Sequence, residues 1–108
     1  ASRGYSRSGL IKPDLAAPGV NILGASASGI RLTRMSGTSV AAAHLAGAAA
    51  ILLHWGVLNR SYPYLNTPVL KSIFVRGAQR NPALTYPNRE YGYGTLDLHE
   101  AFLHLRNL

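Results

Sequence analysis

Residues 36–50 read Ser-Gly-Thr-Ser-Val-Ala-Ala-Ala-His-Leu-Ala-Gly-Ala-Ala-Ala, a tight polar turn that passes directly into an apolar run. The run continues to Leu53, and between Val40 and Leu53 the side chain of His44 is the only polar one. A helix that is apolar on every side is typical of a protein's centre, where neighbours cover all of its faces. The sequence therefore predicts a long buried helix that begins just after Gly37.

Two glycines accompany this helix. Gly47 costs a helix interior roughly 1 kcal/mol relative to alanine, so we expect another backbone to pack closely against it. Gly56 follows Trp55, and a glycine there is suited to the left-handed residue that ends many helices. We therefore expect the helix to end at Gly56.

Ser39 lies where the predicted helix begins. The first backbone N–H groups of a helix have no carbonyl partner inside it and carry a partial positive charge. A serine hydroxyl held there can attack a carbonyl carbon while the same N–H groups stabilise the oxyanion that forms. Serine is also common at helix N-termini for structural reasons alone, so the position by itself leaves both interpretations open.

The residues before this helix predict little regular structure. Residues 2–19 are rich in glycine, serine and proline and indicate irregular chain. Residues 20–24 and 30–35 are two short strand candidates, and the turn at residues 26–29 would join them as a hairpin.

Two further helices are predicted after the central one. Thr67 is expected to cap the first of them, with Pro68 in its first turn and Gly77 at its end. Asp97 stands three residues before Glu100, the spacing of a capping box, and predicts the start of the last helix. A short strand is expected to close at Leu96, just before it.

Composition narrows the classes of function. The chain has 108 residues and a formal net charge of +7, but its arginines are spread singly and form no basic stripe on a helix. The absence of cysteine excludes a disulfide framework and a thiolate metal site. The longest apolar segment, residues 40–53, is short for a membrane span and is interrupted by His44. We expect neither a nucleic-acid partner nor a membrane span.

A domain that folds on its own rarely consists of three helices and only two or three short strands. Two amphipathic helices cannot surround a helix that is apolar on all sides. The chain also begins Ala-Ser-Arg-Gly, without an initiator methionine or a signal-peptide pattern. We expect a piece of a larger α/β protein, whose uncovered helix faces bind the remainder of that protein or a second copy of the chain.

Three blocks of sequence resemble the subtilisin-like serine proteases, in the order in which the family has them. Ser2-Arg3-Gly4 and residues 11–20 are similar to the segment that leads to the strand before the nucleophile. Residues 36–47 resemble the nucleophile signature, and residues 92–97 resemble the closing strand-to-helix turn. Further segments resemble clostridial subtilases, including the Csp-type spore germination proteases: residues 53–56, 74–78 and 86–94.

The resemblance implies that residues 1–108 are the C-terminal portion of a subtilisin-like peptidase domain. The implied fold has three layers, with helices on both faces of a mainly parallel sheet. The implied reaction is hydrolysis of peptide bonds through an acyl-enzyme, with Ser39 as nucleophile and its own backbone N–H in the oxyanion hole. The family's catalytic aspartate, base histidine and oxyanion asparagine match no residue here, so we expect the isolated chain to be inactive.

The same resemblance bears on partners, cofactors and compartment. It implies a protein or peptide substrate, the rest of the protease as a partner, and secretion or association with a bacterial cell envelope or spore. The residues indicate no cofactor and no metal, and calcium binding by the larger protein stays open. Because some clostridial members are pseudoproteases, a non-catalytic scaffold or interaction module of the same fold is the alternative function.

The remaining candidate residues have structural explanations. His44 follows Ser39 by five residues, so it lies about 140° around the helix and roughly 7.5 Å along it, too far to take the serine proton directly. We expect His44 to be buried and hydrogen-bonded for structural reasons. Asp14 is predicted as a turn residue and Asp97 as a helix cap, and neither as the triad acid. Ala43 stands where the family usually has proline, a change that the first helical turn tolerates.

The other histidines do not have the spacing of a metal site. His99 and His104 are five residues apart, whereas a pair four apart shares a helical face. His54 lies far from both along the chain. We therefore expect no zinc site.

Overall fold

Two antiparallel hairpins precede the helices in the computed structural model, which describes residues 4–27, 29 and 31–108. Strand β1 (Gly4–Tyr5) pairs with β2 (Ile11–Lys12), and β3 (Ile22–Ala25) pairs with β4 (Leu32–Met35). The second hairpin confirms the two predicted strands, whereas the first lies in a segment that was expected to be irregular. Some residues on which predictions fall lie outside the described residues: Ser2, Arg3, Ser28 and Ile30.

The central helix α1 (Thr38–Leu53) continues without a break into a π-helical turn at His54–Leu58. The expectation that Gly56 ends the helix in a left-handed conformation is wrong. Gly56 is buried inside the π turn, where a β-carbon would lie 3.0 Å from Cδ2 of Leu65 and 3.1 Å from the carbonyl oxygen of Tyr62. The glycine is therefore needed for the close approach of the following loop, not for its backbone freedom.

Helix α2 (Thr67–Gly77) ends at Gly77 as predicted but begins differently. The side chain of Asn66, not that of Thr67, accepts a hydrogen bond from the backbone N–H of Val69 at 3.1 Å. Asparagine is among the best N-capping residues and stands one position earlier, which places Thr67 and Pro68 inside the first turn.

Helix α3 (Leu98–Arg106) confirms its predicted cap. Asp97 Oδ1 accepts the backbone N–H of Glu100 at 3.0 Å. The strand expected near Leu96 is a short ladder, in which Leu96 donates to the carbonyl of Ala16 at 2.7 Å while Thr95 and Gln79 exchange both of their backbone hydrogen bonds. This ladder ties the segment before α1 to the segments around α2 and α3.

The hydrophobic core lies among the three helices. Its members are small or aliphatic side chains together with one aromatic ring: Ala48, Leu52, Leu65, Leu70, Ile73, Phe74, Ala101 and Leu105. Trp55 packs edge-on against Phe102 at its margin, with ring centroids 5.1 Å apart. The core therefore occupies the C-terminal two-thirds of the chain and leaves the β-hairpins outside it.

Helix α1 contributes only Ala48 and Leu52 to this core, so within this chain it is covered on one side and not on all sides. Ile51 is 58% exposed, and apart from the neighbouring backbone of α1 itself no atom of the described residues lies within 4 Å of a β-carbon built at Gly47. The close backbone packing expected at Gly47 is therefore absent among the described residues. The physical reason is that α2 and α3 are too few to surround α1.

Together, α1 and the π turn form a continuous helix over Thr38–Leu58, which is 21 residues long and contains an 18-residue stretch with a mean hydropathy of 1.6. By length and composition alone this helix could cross a membrane. It is longer than residues 40–53, the apolar segment identified in the sequence, because the π turn extends it. The core helices of soluble proteins meet the same criterion.

Candidate functional site

Gly37 shapes the turn from which α1 begins. Its backbone has φ 149° and ψ 168°, a conformation that residues with a side chain rarely adopt. Its N–H donates to the carbonyl of Gly19 at 2.7 Å, and a β-carbon at Gly19 would lie 2.7 Å from the Gly37 oxygen. Two glycine backbones therefore touch here, which fixes the start of the helix against the segment before β3.

Ser39 is the second residue of α1 and is exposed. Its N–H is one of the first-turn donors that have no carbonyl partner within the helix. The first turn of α1 contains no acidic residue, so no carboxylate on this turn offsets the positive end of the helix dipole. The surroundings of Ser39 therefore favour a negative charge that develops next to it.

A cluster of polar contacts lies directly before the turn. The hydroxyl of Ser36 accepts the backbone N–H of Asn21 at 2.8 Å, and Nη1 of Arg34 donates to the carbonyl of Asn21 at 3.1 Å. Asn21 has φ 52°, a left-handed conformation that asparagine tolerates better than most residues. In the sequence, Asn21 falls within a strand candidate and Ser36 within the nucleophile signature, and none of these contacts was predicted.

A cleft of about 660 Å³ lies beside the start of α1. Gly37 and Thr38 line it, together with Val20 from the segment before β3 and Glu90 and Tyr91 from the loop before α3. Ser39 is not among its lining residues. The cleft therefore adjoins the candidate nucleophile without containing it.

His44 is exposed, so the expectation of a buried histidine is wrong for this chain. It lines a second cleft of about 610 Å³ together with Gly47 and Ile51 of α1, and Leu98 of α3 lies on the other side of this cleft. His44 lies one helical turn before Ala48, the first residue of α1 that the core buries, so the core does not extend far enough to cover it.

Neither carboxylate that could be taken for a triad acid is placed as one. Both oxygens of Asp14 accept from Lys12 at 3.0 Å, and Lys71 lies 3.1 Å from Oδ2. The Lys12 hydrogen bond is the main reason that the pKa of Asp14 is lowered from 3.8, and Lys71 adds to it. Asp14 therefore joins the segment before β3 to α2.

The carboxylate of Asp97 accepts hydrogen bonds at the start of α3. Its pKa is lowered from 3.8 chiefly by the N–H of Glu100, with a further contribution from Gln79, whose Nε2 donates to Oδ2 at 2.9 Å. Across the part of the chain that the structure describes, no group of three or more histidine, aspartate or glutamate residues is placed to hold a metal ion.

Comparisons with known proteins agree on a single family. A sequence model of the subtilase family of peptidases matches residues 1–94. The subtilisin-like protease SBT4.14 of Arabidopsis thaliana is 32% identical over an alignment of 97 residues, which covers 79% of this chain and 12% of the plant protein.

Solved structures support the same assignment. The CspB protease of Clostridium perfringens superposes with a TM-score of 0.89 and 38% identity, over 98% of this chain and 23% of that one. The prenylagaramide maturation protease PagA superposes with a TM-score of 0.66 and 33% identity, over 82% of this chain and 32% of that one. The chain thus spans a minor part of each relative, and it belongs to the subtilase family.

Proposed function

We propose that this chain is the C-terminal, nucleophile-bearing portion of a serine endopeptidase domain, and that Ser39 attacks the carbonyl carbon of a peptide substrate. The observation that carries the proposal is the exposed position of Ser39 in the first turn of α1, inside the segment matched to the subtilase family. A protein or peptide is the substrate class because the similar proteins are proteases.

The chemistry follows from the helix start. As the Ser39 oxygen bonds to the carbonyl carbon, the carbonyl oxygen becomes an oxyanion, and the Ser39 N–H donates to it. The leaving amine departs and an acyl-enzyme remains on Ser39, which water then hydrolyses. A base must accept the serine proton, and we assign that base and its aspartate to the part of the domain outside this chain.

The uncovered face of α1 supports this division. Leu58 at the end of the π turn is 70% exposed and Ile51 is 58% exposed. Leaving such large apolar side chains in contact with water is unfavourable, and it is unusual for so apolar a helix. The radius of gyration is 15.3 Å, whereas a compact domain of this length has about 13 Å. We assign the open face to contact with the remainder of the protease domain, which would bury it.

The test is labelling with a serine-directed fluorophosphonate. The full-length protein that contains this sequence should be labelled stoichiometrically, and Ser39→Ala should remove the label. Ser72→Ala, a change on the exposed surface of α2, is the matched control and should leave labelling intact. The 108-residue chain alone should not be labelled, because removing a triad member leaves only residual catalysis.

Two results would contradict the proposal. Stoichiometric labelling of the 108-residue chain would show that no other part of the protein is needed. Absence of labelling in the folded full-length protein would instead favour the non-catalytic member of the family that the sequence left open. We also assign the protein to the secreted or cell-envelope fraction, which cell fractionation tests independently.

A further inference from the structure

The three residues Asn21, Arg34 and Ser36, here called the Asn21 cluster, join two segments that are distant in sequence. Ser36 contacts the N–H of Asn21 and Arg34 contacts its carbonyl, so two side chains bind both polar backbone groups of one residue. Residues 34 and 36 lie two apart, and both side chains reach the backbone of Asn21. The cluster holds residues 19–21 against the end of β4.

The hydroxyl of Ser36 is committed to this contact and not to the helix. No side chain caps α1, whose N-cap residue is Gly37. The Gly37 N–H meanwhile donates to Gly19, so three hydrogen bonds join residues 19–21 to residues 34–37. Only Thr38 separates the last of these bonds, that of Gly37, from Ser39.

The position of Asn21 gives these bonds a directional role. Its φ of 52° turns the chain immediately before β3, whose pairing with β4 begins at Ile22 opposite Met35. A residue other than glycine keeps a left-handed backbone conformation where the surrounding structure holds it there. The cluster thus holds this turn beside the segment through which the chain leaves β4 and enters α1.

We infer that Ser36 and Arg34 are positioning residues for Ser39, acting through the backbone of Asn21. This inference rests on the proposed function of Ser39 as a nucleophile. Gly37 is conformationally permissive, so without the cluster the turn would sample other conformations and Ser39 would spend less time aligned for attack. A misplacement of about 1 Å at a reacting group can cost up to about a hundredfold in rate.

The experiment measures fluorophosphonate labelling kinetics in the full-length protein. Ser36→Ala should lower the maximal labelling rate by roughly tenfold while the concentration for half-maximal rate stays within about twofold. Ser36→Thr keeps a hydroxyl acceptor and should restore most of the rate. Ser72→Ala is the control for a lost hydroxyl elsewhere, and the thermal midpoint of each variant is measured alongside.

The outcomes separate this inference from the proposed function. If the wild type is labelled and Ser36→Ala is labelled at the same rate, the positioning role is overturned and the nucleophile remains. If labelling falls only in proportion to the unfolded fraction, or if Ser36→Thr is as slow as Ser36→Ala, the role is merely structural and the inference fails. If the wild type is not labelled, both fail together.

Arg34→Gln provides a second, independent variant, because it weakens the contact to the Asn21 carbonyl and keeps the Ser36 hydroxyl. It should also slow labelling without changing the half-maximal concentration. If Ser36→Ala does not fold, a wild-type labelling rate in folded Arg34→Gln overturns the inference.

Discussion

Gly77 lies directly against the backbone of Ala101, so that a β-carbon at Gly77 would come within 2.6 Å of the Ala101 nitrogen. This contact joins the last residue of α2 to the first turn of α3, and both residues are buried. The two helices can approach this closely only because position 77 has no side chain. The pairing of α2 and α3 therefore depends on one glycine.

Gly77→Ala should destabilise the protein by about 1–2 kcal/mol. The higher helix propensity of alanine would contribute at most about 1 kcal/mol in the other direction, which is less than the cost of forcing two backbones apart. Denaturant unfolding measures the difference. Gly24→Ala is the control, since a β-carbon there meets nothing within 4 Å, and equal stability of the two variants would contradict the prediction.

Gly47→Ala should have opposite effects in two contexts. In the 108-residue chain it should raise helix content, because nothing lies within 4 Å of the new β-carbon and alanine favours helix by about 1 kcal/mol. In the full-length protein it should lower stability, because the proposed covering layer packs on this face. Circular dichroism and denaturant unfolding measure the two effects. A stabilised full-length variant would mean that the face stays open.

Asn66→Ala should cost about 1 kcal/mol of stability, because it removes the oxygen that accepts the Val69 N–H. Asn66→Asp keeps an acceptor and should be nearly neutral. Thr67→Ala is the informative comparison, since the sequence alone assigns the cap to Thr67. Denaturant unfolding should therefore show that Asn66→Ala is clearly less stable than Thr67→Ala. The reverse order of stabilities would assign the cap to Thr67.

Acid should remove the stabilisation that Asp14 and Asp97 provide. Both have folded-state pKa values below 3.8, so their contribution is complete above that value and is lost as the pH falls through the folded-state pKa. Asp14→Asn should therefore be less stable than the wild type at pH 7, and the difference should shrink in strong acid.

Asp97→Asn separates capping from charge at the second site. Asparagine still caps a helix, so the variant should keep most of its stability at pH 7 while losing part of its acid dependence. Denaturant unfolding at several pH values checks both residues. An unchanged difference between Asp14→Asn and the wild type from neutral to acid pH would show that the Lys12 and Lys71 contacts do not stabilise the fold.

Local patterns in the sequence were sufficient for several elements. The α1 start after Gly37, the end of α2 at Gly77 and the Asp97 cap depend on residues adjacent in the chain, and the structure confirms them. The cap of α2 was misplaced by one residue, because Asn66 and Thr67 are both good caps and the pattern does not separate them. The nucleophilic role of Ser39 stays a prediction from the signature around it.

Contacts between residues that lie far apart along the chain could not be predicted from the sequence. Nothing near Gly56 along the chain indicates that Leu65 and Tyr62 will pack on it, and nothing near Ser36 indicates that its hydroxyl will accept from Asn21. The exposure of His44 likewise depends on which neighbours the helix has, not on the residues beside it.

Apolar periodicity and capping residues act over one or two helical turns, so the order of amino acids by itself established the long helix, its first turn and the serine on that turn. Which face of α1 is covered, and how residues 19–21 are held against residues 34–37, required the chain to return on itself. Such contacts join groups that are far apart in sequence, and their geometry depends on the packing of the whole fold.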